Sequence, residues 1–178
     1  MTGDAAITDT ALPDALVTLA RRVIEANIRL GRRIVVAESC TGGLVSAALT
    51  EIAGSSATFE GGFVTYSNAQ KTAMLGVSDD VLDTFGAVSI ATAWAMAQGA
   101  LSRSEADVAV SITGIAGPDG GSEMKPVGTV VFARAERGGD SENIVADLRR
   151  FDDTGRGHVR VQAALCALEL LLPDEARE

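Results

Sequence analysis

Between Asp14 and Leu30 the apolar residues fall at Leu16, Leu19, Ala20, Val23, Ile24 and Ile28. That is the three-and-four spacing of one helix face, with Pro13 near its start and Gly31 just past its end. Ile34 to Ala37 is a short unbroken apolar run, which predicts a buried strand. Small and apolar residues from Leu44 to Ala53 predict a helix stopped by Gly54. Further elements follow: a strand over Gly62–Tyr66, helices over Ser67–Leu75 and Asp79–Phe85, and a longer helix capped by Ser89 and running to about Arg103. Asp107–Ile112 predicts a third strand, and Thr113–Val127 a long Gly/Pro loop. Gly128–Ala135 and Asn143–Arg150 predict two strands joined across a Gly138-Gly139 turn, and Gly157–Leu172 a final helix ended by Pro173.

Alternating strands and helices imply an α/β/α sandwich. The late hairpin makes at least one strand antiparallel, so the sheet is mixed. A length of 178 residues with 47% hydrophobic content fits one ordinary core. The expected organisation is a flexible tail over 1–11, a single domain over 12–173 and a short tail over 174–178. No apolar run approaches the roughly 18–20 residues of a membrane span. The polar, acidic N-terminus lacks the basic and apolar regions of a signal peptide.

Composition narrows the chemistry. A net charge of −9 disfavours nucleic acid and anionic membranes as partners. A small anion remains compatible, because a local site can oppose the global field. Cys40 and Cys166 have no disulfide or metal spacing, and without an export signal a reducing cytoplasm is expected. His158 is the one histidine, so a two-His metal site is impossible within the chain and no metal or cofactor is expected. Only two lysines, Lys71 and Lys125, stand against 13 arginines, and Tyr66 is the one tyrosine. Candidate general bases are therefore few.

Ala37-Glu38-Ser39-Cys40-Thr41-Gly42-Gly43 links the first strand to a helix. Such a turn aims backbone N–H groups and a positive dipole end at one point. Ser39 reads as a nucleophile there, with the Cys40 and Thr41 N–H groups as an oxyanion hole. Gly42 and Gly43 let a ligand approach the backbone. A capping serine in a tight turn is the bland alternative. Cys40 is a rival nucleophile or a buried filler. Glu38 either orders the turn or is simply a hydrogen-bonded buried carboxylate.

Ser67 and Gln70 have capping-box spacing, which puts Tyr66 and Lys71 at the two positions a helix staple joins. This pair reads either as a lysine base with a tyrosine partner or as a staple beside a solvated lysine. As a base, Lys71 needs its pKa lowered from about 10.4 towards 7, a cost of about 4 kcal/mol. Thr113-Gly114-Ile115-Ala116-Gly117-Pro118-Asp119-Gly120-Gly121 follows a strand and reads as a binding loop able to cradle phosphate. It lacks the Gly-Lys-Ser/Thr ending of a P-loop. Lys125 either closes that loop on a phosphate or is solvated. Near the last helix, Arg156 suits a phosphate or carboxylate, and His158 reads as capping or surface.

Together AESCTGG, GGFVTYSNAQK, GAVS and TGIAGPDGG, in this order, resemble the CinA C-terminal family, the nicotinamide mononucleotide deamidases, from about Leu12 to Leu172. The resemblance implies a three-layer fold with a mixed, mostly parallel five-stranded sheet. It implies metal-free hydrolysis of the carboxamide of a mononucleotide substrate, and a homodimer. It carries Ser39 over as nucleophile with Tyr66 and Lys71 as helpers. Thr113 and Gly114 match a second active loop, with Gly117 beside them, and Arg156 matches a late arginine. The family's late motif resembles Gly-Asp-Arg, whereas this chain reads Thr154-Gly155-Arg156. The alternatives are a silent nucleotide-binding module, a regulatory partner protein, and a Cys40 amidase.

Overall fold

The computed structural model describes residues 10–139, 145–152 and 155–176. Helix α1 (Asp14–Arg29) leads into β1 (Ile34–Glu38) and α2 (Leu44–Thr50). Then come β2 (Phe59–Val64), α3 (Asn68–Leu75), α4 (Asp79–Phe85) and α5 (Ile90–Ser102). The chain closes with β3 (Val108–Gly114), β4 (Thr129–Glu136), β5 (Val145–Arg150) and α6 (Arg156–Leu171). The strands form one five-stranded sheet in the order β2-β1-β3-β4-β5. β1 is parallel to β2 and β3, while β4 is antiparallel to both β3 and β5. Four of the five strands therefore run the same way, as the expected mixed, mostly parallel sheet requires.

Side-chain alternation along the central strands creates the three layers. Ile34 and Val36 of β1, Val108, Val110 and Ile112 of β3, and Val130 and Phe132 of β4 pack under α1, α2 and α6. Val35, Ala37, Ala109, Val131, Ala133 and Ala135 face α3, α4 and α5. The central strands are buried on both faces, so they read as unbroken apolar runs rather than alternating ones.

Several boundaries differ from the sequence expectation, each for a tertiary reason. β2 starts at Phe59 and stops at Val64, so Tyr66 lies in the loop beyond it. The expected start at Gly62 falls short because pairing with β1 recruits Phe59 to Gly61 as well, with Glu60 as the extra residue between Phe59 and Gly61. α2 ends at Thr50 rather than Ala53, ahead of a 3-10 turn at Ser55–Ala57. β3 runs on to Gly114 because Thr113 and Gly114 pair with Val131 and Val130. Ile28 was expected on the buried face of α1 but is exposed, and Asn27 is fully buried in its stead. The Asn27 amide donates to the Val23 and Leu171 carbonyls and accepts from Arg32 Nε, tying α1 to the end of α6. Residues 174–176 form a 3-10 turn. The N-terminal tail to residue 9, the Asn143 start of the fifth strand and Asp153-Thr154 lie outside the described residues.

Gly99 sets how closely α5 approaches the end of α3. A Cβ there would sit 2.1 Å from the Leu75 carbonyl oxygen. Gly99→Ala, which would stabilise an isolated helix, should instead cost about 1–3 kcal/mol through overpacking. A lowered urea midpoint at unchanged slope is the expected readout.

Candidate active site

β1 ends by sending consecutive residues to opposite faces of the sheet. Glu38 follows the parity of Ile34 and Val36 and points towards α2. Ser39 follows Val35 and Ala37 and points towards α3. The Glu38 side chain is fully buried. It accepts from the N–H groups of Gly43 (3.0 Å), Val45 (3.1 Å) and Ser46 (2.8 Å), and from Ser46 Oγ (2.7 Å). The start of α2 is thus filled from within by the chain's own carboxylate. Gly42 and Gly43, at φ +60° and +92°, make the left-handed turn that permits this.

Ser39 is held at the mouth of the turn by its N–H to the Ile112 carbonyl (2.9 Å), while its own carbonyl accepts from Gly42 N–H (3.1 Å). Among the described residues no other residue accepts from the N–H groups of Cys40 and Thr41. Lys71 reaches Ser39 from across the sheet end. Ser67 caps α3 by accepting from Gln70 N–H, and one turn in, Lys71 is 1% exposed. Lys71 Nζ donates to Ser39 Oγ at 3.0 Å, to the Thr65 carbonyl at 3.0 Å and to the Tyr66 carbonyl at 3.5 Å. Among the described residues no carboxylate contacts it. Burial therefore pulls its pKa below the ordinary 10.5.

The staple geometry brings Lys71 to the Tyr66 backbone rather than to its ring. The Tyr66 side chain is exposed, and its hydroxyl accepts from Arg156 Nη2 at 2.9 Å. Arg156, the first residue of α6, also donates to the Gly117 carbonyl at 2.8 Å. One guanidinium therefore ties the β2–α3 loop to the loop after β3. Gly155 at the N-cap offers no side chain to close this helix start. The N–H groups of Arg156, Gly157 and His158 have no acceptor among the described residues.

These groups surround a pocket of about 250 Å³ lined by Ser39, Cys40, Tyr66, Lys71, Thr113 and Arg156. Gly114, Ala116, Asn68, Ala87 and Val88 complete its wall. Thr113 Oγ1 donates to the Ala87 carbonyl, joining the floor strand to the α4–α5 corner. Of the residues singled out in the sequence, Thr41, Gly42, Gly43 and Gly117 stand behind this wall. Thr41 also accepts, through its carbonyl, from Arg160 Nη2 at 2.7 Å. Lys125 Nζ donates to the Phe85 carbonyl, so it is engaged outside the pocket wall. Asn68, Ala87, Val88 and Arg160 escaped the sequence reading. Asn68 lies within GGFVTYSNAQK and Ala87 and Val88 within GAVS, so all three fall inside segments of the family resemblance, where they carry no chemical signature of their own.

Cys40 faces the same pocket but is a poor nucleophile. Burial raises its thiol pKa to about 12, with Glu38 adding to the effect and its own N–H, Lys71 and Arg160 only partly opposing it. Among the described residues no group of three or more His, Cys, Asp or Glu side chains could hold a metal ion. No described helix is long and apolar enough to cross a membrane.

A profile of the CinA C-terminal domain matches residues 16–174. The chain belongs to that family. It is 47% identical over 159 residues to the nicotinamide-nucleotide amidohydrolase PncC of Pseudomonas putida, covering 89% of this chain and 96% of the relative. With the protein of the same name from Escherichia coli K12 it shares 50% over 156 residues, covering 88% and 92%. The crystal structure of the competence/damage inducible protein CihA from Agrobacterium tumefaciens superposes with a TM-score of 0.86 at 51% identity, over 91% of this chain and 96% of that one. The five-stranded α/β/α architecture is thus that of the CinA superfamily.

The raised thiol pKa gives a direct test. At pH 8 Cys40 stays protonated, because burial pushes its thiol pKa far above the ordinary value. Iodoacetamide at that pH should leave Cys40 unmodified in the folded protein and label it fully after denaturation, as peptide mass spectrometry would report.

Proposed function

We propose that this protein hydrolyses the carboxamide of nicotinamide mononucleotide to nicotinate mononucleotide and ammonia, with Ser39 as nucleophile and Lys71 as base. The observation that carries the reading is the direct 3.0 Å contact between Ser39 Oγ and a buried lysine that has no carboxylate partner among the described residues. The 47–50% identity to proteins named nicotinamide-nucleotide amidohydrolase supplies the substrate class.

A neutral Lys71 has two N–H donors and one lone pair. The Thr65 and Tyr66 carbonyls accept the two donors, which turns the lone pair towards Ser39 Oγ. Ser39 Oγ then attacks the carboxamide carbon and its proton passes to Lys71 Nζ. The oxyanion takes the N–H groups of Cys40 and Thr41, the donors of this turn that Glu38 leaves free. The lysine ammonium returns a proton to the departing nitrogen, releasing ammonia and an acyl-Ser39 ester. Water, deprotonated by the same amine, cleaves the ester to the free acid and regenerates Ser39. Tyr66 acts here through its ring and its bond to Arg156, as a wall of the pocket. The direct Lys71–Ser39 contact removes the need for a tyrosine relay.

The phosphate is placed at the start of α6. Among the described residues that helix end has three N–H groups without an acceptor, and it carries an arginine on the pocket wall, whereas the start of α2 is filled by Glu38. Thr113, Gly114 and the Gly117 loop lie between the two ends and hold the ribose. In this reading residues 12–173 act as one catalytic domain in the cytoplasm, without metal or cofactor, as a pair of copies.

The experiment is ammonia release from nicotinamide mononucleotide by purified, EDTA-treated protein. Ser39→Ala should lower kcat by about 10³ or more, and near-normal release would reject the nucleophile. For Lys71 the sign follows from its lowered pKa: the active amine forms as pH rises through a value below 10.5. Wild-type kcat/KM should climb to a plateau across that point. Lys71→Met should be at least about 10²-fold slower and lose the climb. Stability follows the same direction. The unfolded chain holds the lysine proton up to about pH 10.5 and the folded one releases it earlier, so wild type should gain on Lys71→Met as pH rises through that window.

A further inference from the structure

The pairing of two copies proposed above has no surface assigned to it. We infer that the copies meet at the outer edge of β5, which pairs antiparallel with β5 of the second copy about a two-fold axis at Leu148. The occupant rests on the two-copy reading. The place and the register rest on the strand itself.

β5 pairs with β4 alone and ends the sheet. In an antiparallel ladder both backbone groups of a residue point to the same neighbour, and successive residues alternate. Phe151 N–H donates to the Gly128 carbonyl, which turns the odd-numbered residues of β5 towards β4. Ile115 N–H donates to the Thr129 carbonyl, which turns Thr129 to β3 and leaves Val130 to Arg149, in agreement. Ala146, Leu148 and Arg150 therefore offer their N–H and C=O groups outwards. None of these outward groups has a partner among the described residues. Centred on Leu148, a two-fold pairs Leu148 with Leu148 and Ala146 with Arg150. That register satisfies every outward group of the three residues in both copies.

Charge selects this register over its neighbours. Asp147 and Arg149 project on the α6 side, where Arg149 Nε donates to Asp147 Oδ2 of the same strand at 2.7 Å and Arg149 Nη1 lies 3.0 Å from Cys166 Sγ, so across the two-fold each pair would meet the opposite charges of its mate. With Leu148 on the axis, Asp147 of each copy lies opposite Arg149 of the other, in the close, non-hydrogen-bonded type of pair. Moving the axis to Asp147 sets aspartate against aspartate, and moving it to Arg149 sets arginine against arginine. Only even steps keep side chains on matching faces, so these are the nearest competitors. Charged residues usually guard an edge against pairing. Here they forbid the adjacent registers and admit the central one. On the other face Leu148, 44% exposed, would be covered by its symmetry mate. The contact is isologous, as a two-fold dimer requires.

Sedimentation velocity on the full chain up to about 100 μM tests this. Wild type should sediment as a dimer. Asp147→Arg should weaken it at least about tenfold by facing like charges, and adding Arg149→Asp should restore it by reversing both signs. Leu148→Pro removes one outward N–H at a place where an edge strand tolerates proline, and should also dissociate the pair. A monomeric wild type would overturn the proposal. So would a dimer unmoved by Asp147→Arg and Leu148→Pro, which would place the contact elsewhere and leave the two-copy reading standing. Amide exchange on wild type reads the same edge without substitution: Ala146, Leu148 and Arg150 should exchange more slowly as dimer forms, and fast exchange at all three within a dimer would refute it. Ammonia release reports separately on the amidase reading.

Discussion

A buried carboxylate with no ion-pair partner among the described residues organises the pocket end of this protein. Glu38 is satisfied by three backbone N–H groups and one hydroxyl at the start of α2. Leaving such a group buried and unpaired would cost several kcal/mol, so the turn, the glycines and the helix entry form as one unit. The consequence is functional as well as structural. A helix start whose free N–H groups would otherwise suit an anionic ligand is already filled by the chain's own carboxylate.

The sheet converts that anchoring into a second effect. Because neighbouring residues of a strand face opposite ways, fixing Glu38 under α2 fixes Ser39 over the α3 side. There Lys71 arrives on a capped helix, held by two loop carbonyls and shielded from water. Burial alone lowers its pKa, with no cation of its own sign needed nearby. The same burial acts oppositely on the neighbouring thiol, raising it to about 12. One dry environment thus favours the uncharged amine and the uncharged thiol together.

Much of this was legible in the chain because it is local. The helix faces, the Ser67 and Ser89 caps and the strand-turn-helix at Ala37–Gly43 depend on residues within a few positions of one another. The candidate residues were also visible, because serine, tyrosine, lysine and arginine are conspicuous in a chain poor in lysine and tyrosine. What misled was local too. The strand expected from Gly62 starts earlier, at Phe59, once β1 supplies a partner strand, and Thr113-Gly114 reads as loop until β4 does. Ile28 fits the apolar stripe of α1, yet the helix end turns it outwards and buries Asn27 against the carbonyls of α6.

By itself the sequence determined the periodicities, the caps, the order of elements and the chemical inventory, since each depends on short-range geometry and residue type. The tertiary structure alone decided which groups meet. Ser39 and Lys71 are 32 residues apart, and Tyr66 and Arg156 are 90 apart. Nothing in their spacing says that Tyr66 lends Lys71 its carbonyl while giving its hydroxyl to Arg156. Nor does it say that Glu38 faces a helix start rather than the pocket. Those outcomes follow from strand parity and register across the sheet, and from the burial they create, which no local pattern encodes.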